Sequence, residues 1–150
     1  MPSGRDTPGW NNAEADAHDF SEGKMKEAIE RINPGSEFYT KEGCHIIELI
    51  NTPDDPDASI AKVRVTPGVT TSWHRLIGTT ERYVILEGRG RMEVGNLPPQ
   101  DIGAFDSVRI PPACPQRITN IGEEDLIFLA ICTPRFKPQA YEDTSPPTTA

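Results

Sequence analysis

Three polar side chains, His74, Glu81 and Gln116, lie in strand-like segments and could carry out chemistry together. Glu81 follows His74 after a short turn, and Gln116 belongs to a later segment. An imidazole and a carboxylate can exchange protons with a substrate or bind a divalent metal, whereas a neutral amide is a weak metal ligand. The residue types therefore leave acid–base, metal-assisted and binding roles open.

The period of a β-strand predicts which side chains accompany these three. Residues i and i+2 of a strand share a face, so one face of each segment would line the interior of a small barrel. Trp73 and Arg75 would point the other way. The side chains predicted to face the interior are Ser72, His74, Leu76, Glu81, Tyr83, Gln116 and Ile118.

The elements that would position these residues are short strands separated by Gly, Pro, Asn and acidic turns. Such regular spacing without helical segments is typical of an all-β sandwich or barrel. The predicted strands are 44–50, 60–66, 70–76, 81–86, 90–94, 107–110, 116–120 and 125–132.

The two ends of the chain differ from this central part. We predict an N-terminal arm over 1–36, which includes a short helix over 21–32, because Met25, Ile29 and Ile32 recur at helical spacing. The barrel is predicted over 37–137 and a flexible tail over 138–150. Phe136 and Tyr141 are candidates to anchor the outgoing chain.

The bulk properties exclude some classes of function. A chain of 150 residues with a net charge of −8 fits one domain and disfavours binding to nucleic acid. It contains neither a signal-like start nor an apolar run of the ~20 residues that a membrane helix needs, so we expect a cytoplasmic protein. Three cysteines without paired spacing do not predict a disulfide framework or a structural zinc site.

The segment around His74 resembles the first motif of the cupin superfamily, which reads G, five residues, H-x-H, three or four residues, E, six residues, G. Here Gly68, His74, Glu81 and Gly88 fall at the matching positions, and Leu76 replaces the second histidine. The glycines mark turns that a jelly roll needs.

A later segment resembles the second motif, which reads G, five residues, P-x-G, two residues, H, three residues, N. Pro111 and Asn120 match, while Phe105, Ala113 and Gln116 replace the two glycines and the histidine. The resemblance spans about residues 37–137 and implies a double-stranded β-helix, or jelly-roll, cupin barrel.

The resemblance also implies a metal centre. Metal-bearing cupins hold Fe, Mn, Ni, Cu or Zn with the histidines and the glutamate of these motifs, and by position the ligands here would be His74, Glu81 and Gln116. Leu76 has no donor atom, so we expect a divalent transition metal (Fe, Mn, Ni or Zn) to be weakly held or absent. The alternatives are a metal-free polar triad that binds an organic ligand and a vestigial pocket.

The resulting hypothesis is a small-molecule-binding cupin that works as an isomerase, epimerase or lyase on a sugar or a small organic acid, with metal-assisted or His/Glu acid–base chemistry. His74, Glu81 and Tyr83 would be catalytic. The remaining interior residues Ser72, Leu76, Gln116 and Ile118 would bind the substrate. Alternatives are a non-catalytic binding or sensor cupin, a cupin dioxygenase and a structural dimer. We expect a homodimer, with neither nucleic-acid nor membrane partners.

Overall fold

The structure, a computed structural model, describes residues 25–147, and this part of the chain contains eleven strands. Short 3-10 turns at Pro34–Ser36 and Pro138–Ala140 flank the barrel. The strands are β1 (Phe38–Tyr39), β2 (His45–Ile50), β3 (Ser59–Val65), β4 (His74–Leu76), β5 (Thr80–Glu87), β6 (Gly90–Val94), β7 (Gln100–Ile102), β8 (Ser107–Ile110), β9 (Gln116–Asn120), β10 (Leu126–Thr133) and β11 (Tyr141–Asp143).

The strands form two antiparallel sheets that face each other. One sheet has the order β1-β2-β3-β10-β5-β8, and the other has the order β11-β4-β9-β6-β7. Consecutive strands repeatedly cross from one sheet to the other, as β3 to β4 and β8 to β9 do. This architecture confirms the predicted all-β jelly-roll barrel.

The core fills the space between the two sheets. Strand β10 alternates buried and half-buried residues along its whole length, so Leu126, Phe128 and Ala130 point inward. Ile85 from β5 and Ile118 from β9 are also almost completely buried. Full burial of each large apolar side chain stabilises the fold by roughly 1.5–3 kcal/mol, and it fixes which face of each strand lines the interior.

Three turn positions explain why the motifs carry glycine. Gly88 has a φ of 85°, and a Cβ there would lie 2.7 Å from the carbonyl oxygen of Asp125. Phe105 and Ala113, which replace motif glycines, also have positive φ angles of 71° and 62°. A left-handed conformation costs an L-residue roughly 1–2 kcal/mol, so this chain keeps the turns at a cost in stability.

The N-terminal helix predicted over 21–32 is not found where it can be checked. Residues 21–24 lie outside the described part, and residues 25–32 are not helical. Met25, Ile29 and Ile32 are exposed there. A helix this short needs an apolar surface to pack against, and these side chains have none within the described residues.

Two further segments differ from their predictions. The strand predicted over 70–76 is a strand only at His74–Leu76, with one isolated bridge between Thr70 and Thr119. The C-terminal segment predicted as a flexible tail instead adds β11 to the edge of the second sheet, paired with β4. The described helices are single 3-10 turns, and none has the length and apolar character of a membrane span.

Candidate functional site

The polar residues singled out in the sequence meet between the two sheets. His74 in β4 and Gln116 in β9 are direct cross-strand partners, so their side chains project side by side from the second sheet. Glu81 and Tyr83 project toward them from β5 of the first sheet. Each of the four residues is at most 8% exposed, so they form one buried cluster, which we call the polar cluster.

Gln116 connects the polar cluster by hydrogen bonds. Its side-chain nitrogen lies 2.8 Å from His74 Nε2 and donates to Glu81 Oε1 at 2.7 Å. Its side-chain oxygen accepts a hydrogen bond from the Tyr83 hydroxyl at 3.1 Å. The amide therefore uses both of its donors and its acceptor within the cluster.

The backbone fixes the tautomer of His74. Its Nδ1 lies 2.8 Å from the carbonyl oxygen of Ser72, which can only accept, so Nδ1 carries the proton. Nε2 then has a free lone pair and accepts from Gln116. Ser72 thus contributes through its backbone. Its side chain is exposed, which contradicts the prediction that it points with His74 into the interior.

The side-chain alternation of a β-strand does not apply to Ser72, because the strand begins only at His74. Thr71 turns inward instead, where its hydroxyl accepts from the backbone N–H of Ile118 at 3.0 Å. The backbone N–H of Thr71 donates to the Ile118 carbonyl at 2.9 Å. Regular side-chain alternation begins only at His74.

A second carboxylate, Glu42, joins the cluster from the turn between β1 and β2. Its Oε2 lies 3.3 Å from His74 Nε2, and its side chain is 16% exposed. No sequence pattern predicts a role for Glu42, because it lies outside both motifs and outside any strand. Only the folding of the turn over the barrel brings it to His74.

Burial changes the proton affinity of Glu81. Removal from water raises the pKa of its carboxyl to about 8, and the nearby Glu42 carboxylate adds to this rise. Glu81 is therefore protonated at neutral pH. Burial also raises the pKa of the Tyr83 phenol well above its ordinary value, so Tyr83 stays a hydrogen-bond donor.

The polar cluster borders a cavity of about 290 Å³ inside the barrel. Glu42, His74, Glu81 and Tyr83 line one part of it. Most of the remaining wall is apolar and comes from inward-facing side chains of β2, β3, β4 and β10. These apolar lining residues include Ile46, Ala61, Val63, Leu76, Phe128 and Ala130.

The predicted binding residues occupy different positions relative to the cavity. Leu76 lines it, whereas Gln116 lies behind His74 and Glu81 and is not among the lining residues. Ile118 is buried in the core away from the cavity. The side chain of Ser72 does not reach it.

The C-terminal strand supplies an aromatic wall. Tyr141 in β11 stacks on His74, with ring centroids 5.1 Å apart and an angle of 18° between the planes. The Lys41 ammonium lies 4.7 Å from the centroid of the Tyr141 ring. Both residues line the cavity, so a segment expected to be a tail forms part of the site.

The three residues predicted as metal ligands do not form a metal site by themselves. Leu76 offers only hydrocarbon, and Gln116 turns its N–H groups, which have no lone pair for a metal, toward His74 and Glu81. Within residues 25–147, no three His, Cys, Asp or Glu side chains converge on a common point. The predicted set of His74, Glu81 and Gln116 therefore contains two firm ligands.

Comparison with known proteins agrees with this fold. The cupin domain family model matches residues 61–132. An uncharacterized protein of Methanocaldococcus jannaschii is 34% identical over 122 residues, which cover 80% of this chain and 92% of that protein.

Solved structures share the architecture at low sequence identity. KdgF from Halomonas sp. has a TM-score of 0.64 and 13% identity, over 75% of this chain and 99% of its own. Pac13 of Streptomyces, a nucleoside dehydratase, has a TM-score of 0.64 and 16% identity, over 81% of this chain and 95% of its own. With two sequence motifs, a matching domain family and this barrel, the chain belongs to the cupin superfamily.

Proposed function

We propose that this protein binds a small organic molecule in the barrel cavity and transfers protons on it with its own side chains, as an isomerase, epimerase or lyase does. One observation carries the proposal: an apolar cavity has Glu42, His74 and Glu81 gathered at one part of its wall. Apolar walls with a few convergent polar groups are typical of ligand pockets.

The acid in this proposal is Glu81. Its carboxyl is protonated at neutral pH because its pKa is raised to about 8, so it can donate a proton to a bound molecule. A general acid works best when its pKa lies near the operating pH. The Gln116 amide donates to Oε1, and we assign the proton to Oε2, which also lies 3.7 Å from the Cys132 thiol.

The base is His74. Nε2 carries a lone pair because Nδ1 donates to Ser72. This lone pair accepts from the Gln116 amide, and Nε2 takes a proton from the bound molecule when that N–H group is released. The imidazolium that forms would face Glu42 Oε2 at 3.3 Å, and the carboxylate would stabilise it. Tyr83, predicted to be catalytic, donates to Gln116 instead, and we assign it a positioning role.

This mechanism uses no metal ion, because the predicted ligand set contains only two firm ligands, His74 and Glu81. An enzyme with the same fold supports the proposal. Pac13 is a dehydratase, and loss of water is a reaction that an acid–base pair can promote.

A second candidate is a binding protein without catalysis. The observation that favours it is that every buried side-chain nitrogen and oxygen within residues 25–147 has a hydrogen-bond partner. The polar cluster is thus satisfied before any ligand arrives, as in a site built for recognition.

Proton exchange with solvent separates the two candidates. A library of small organic molecules is first screened by thermal shift, and the binders are incubated with the protein in D2O. Proton NMR then follows the loss of individual C–H signals. We expect the wild type to exchange at least one C–H proton of a bound molecule for deuterium.

The variants Glu81→Gln and His74→Ala should bind the same molecule. They should exchange its C–H proton for deuterium at least about a hundredfold more slowly, because general acid–base catalysis usually contributes a factor of this size. Arg91→Ala, which breaks the exposed ion pair with Asp101, is the control. Binding without exchange in the wild type would favour the non-catalytic candidate. Exchange that survives Glu81→Gln and His74→Ala would refute the assigned roles.

A further inference from the structure

We infer that the molecule bound in the cavity is an organic cation, with a protonated amine as its head and an apolar body. The inference rests on the proposed function and names the class of ligand. It differs from the sugars and small organic acids that the sequence led us to expect. Its evidence is which hydrogen-bonding groups of the site remain available to a ligand.

The donors around the polar cluster are already engaged. Both N–H groups of Gln116 point to His74 and Glu81, and the Tyr83 hydroxyl donates to the Gln116 oxygen. His74 Nδ1 donates to the Ser72 carbonyl. Apart from the Glu81 carboxyl proton, an anionic ligand would find no donor among these side chains. A carboxylate or phosphate buried without donors would lose its hydration uncompensated.

The available group is an acceptor. The Glu42 carboxylate lines the cavity and lies 3.3 Å from His74 Nε2, which is itself an acceptor in the tautomer described. The Nε2 lone pair already accepts from Gln116, so the Glu42 carboxylate is the acceptor that a ligand can reach at this part of the wall. A ligand ammonium can donate to Glu42, and a carboxylate has capacity for several donors.

The charges of the lining favour the same class. The side chains that line the cavity and are charged at neutral pH include the carboxylates of Glu42 and Glu48 and the ammonium of Lys41. Lys41 is exposed and its ammonium lies over the Tyr141 ring. The net charge of −8 also attracts cations toward the protein. An anion would approach against this field.

The apolar wall indicates the size and character of the ligand body. Ile46, Val63, Leu76 and Phe128 line a space of about 290 Å³, near the lower end of the range for small-molecule pockets. A single ring or a short alkyl chain with one amine fits this description. Its head would lie at Glu42, and Glu81 would act on a neighbouring atom.

Three molecules of the same shape and different charge test the inference. 2-Phenylethylamine is a cation, 2-phenylethanol is neutral and phenylacetate is an anion. Isothermal titration calorimetry at pH 7 with EDTA compares them. We expect the amine to bind at least about tenfold more tightly than the alcohol, because a hydrogen bond to a charged partner is worth a factor of about ten or more. Phenylacetate should bind most weakly.

A pair of matched variants locates the preference. Glu42→Gln should bring the affinity for the amine down to that for the alcohol, because the charge at the polar cluster is removed. Glu87→Gln makes the same change in charge on the exposed end of β5 and should keep the preference. An equal loss in both variants would show a general surface effect and overturn the inference.

The other outcomes are equally decisive. The inference is overturned if phenylacetate binds as tightly as the amine, if none of the three binds at millimolar concentration, or if binding needs added Mn2+, Ni2+ or Zn2+. Tight binding of the alcohol or the acid alone would refute the cationic class and leave the proposed pocket intact. A preference for the amine without proton exchange in D2O would refute catalysis and leave this inference intact.

Discussion

Gln116 and Asn120 lie four residues apart on the same strand, and both are almost completely buried, yet they contact different kinds of partner. Asn120 bonds to the backbone: Nδ2 donates to the carbonyls of Val65 and Glu124, each at 2.8 Å, and Oδ1 accepts from the N–H of Gly122 at 2.9 Å. Gln116 bonds to side chains, two of which can gain or lose protons.

This difference separates an amide that bonds only to the backbone from one whose partners are titratable side chains. The partners of Asn120 cannot titrate, so its bonds stay the same at any pH that leaves the barrel folded, and they hold one turn against a neighbouring strand. The partners of Gln116 change with protonation and border a cavity. Equal burial and similar chemistry therefore do not predict an equal role; the nature of the partners does.

The largest effect that does not depend on pH should come from the Asn120 amide. Asn120→Ala removes the partner of the buried Val65 carbonyl and of the partly buried Glu124 carbonyl and Gly122 N–H. A fully buried group without a partner costs about 1–3 kcal/mol, and the two partly buried groups add less. We expect the free energy of unfolding to fall by about 3 kcal/mol or more in urea titrations. Thr119→Ala, the neighbouring half-buried residue, should lose much less. A loss below about 1 kcal/mol in Asn120→Ala would erase the distinction between the two amides.

An effect that depends on pH should come from the polar cluster. Glu81 holds its proton up to a pKa of about 8 in the folded state and releases it near its ordinary value of 4.5 when unfolded. Between these values the folded state binds more protons, so stability falls as pH rises, by up to about 1.4 kcal/mol per unit. Above pH 8 the contribution no longer changes.

Glu81→Gln removes this titration, so the variant should gain stability relative to the wild type as the pH is raised from 5 to 8. Urea unfolding across that range measures the difference. Glu87→Gln, on the exposed end of the same strand, serves as the reference for the loss of one charge. Parallel pH profiles of wild type and Glu81→Gln would mean that Glu81 titrates normally.

The smallest effect should come from Ser72. Its carbonyl orients His74, while its side chain is exposed. Ser72→Ala should therefore change the free energy of unfolding by no more than about 0.5 kcal/mol, as exposed substitutions usually do. Ligand affinity should also be unchanged. A tenfold loss of affinity would restore the role that the sequence suggested for this side chain.

Local patterns predicted much of the fold. Alternating apolar residues and turn residues placed most strands near their observed limits. The resemblance of the segment from Gly68 to Gly88 to the first cupin motif implied the jelly-roll barrel, and in the structure the turn at Gly88 passes close to the chain at Asp125. His74, Glu81 and Gln116 were also expected to meet, and they do.

Residues that depend on long-range contacts could not be predicted in this way. Ser72 follows the strand period only if the strand already exists, and tertiary contacts at Thr71 prevent this. Glu42 and Tyr141 reach His74 from distant parts of the sequence. The helix predicted over 21–32 is absent from residues 25–32. Its prediction rested on local periodicity alone, which cannot stabilise so short a segment without tertiary contacts.

The positions of Glu42 and Tyr141 bear on how proteins of this superfamily diverge. Both line the cavity, and both lie outside residues 61–132, which match the cupin domain family. Substitution at a turn before the matched region, or in an edge strand after it, can change the wall around His74 while the shared motifs stay intact. Two relatives with the same His, Glu and Gln can thus evolve different ligands through residues that a motif comparison never includes.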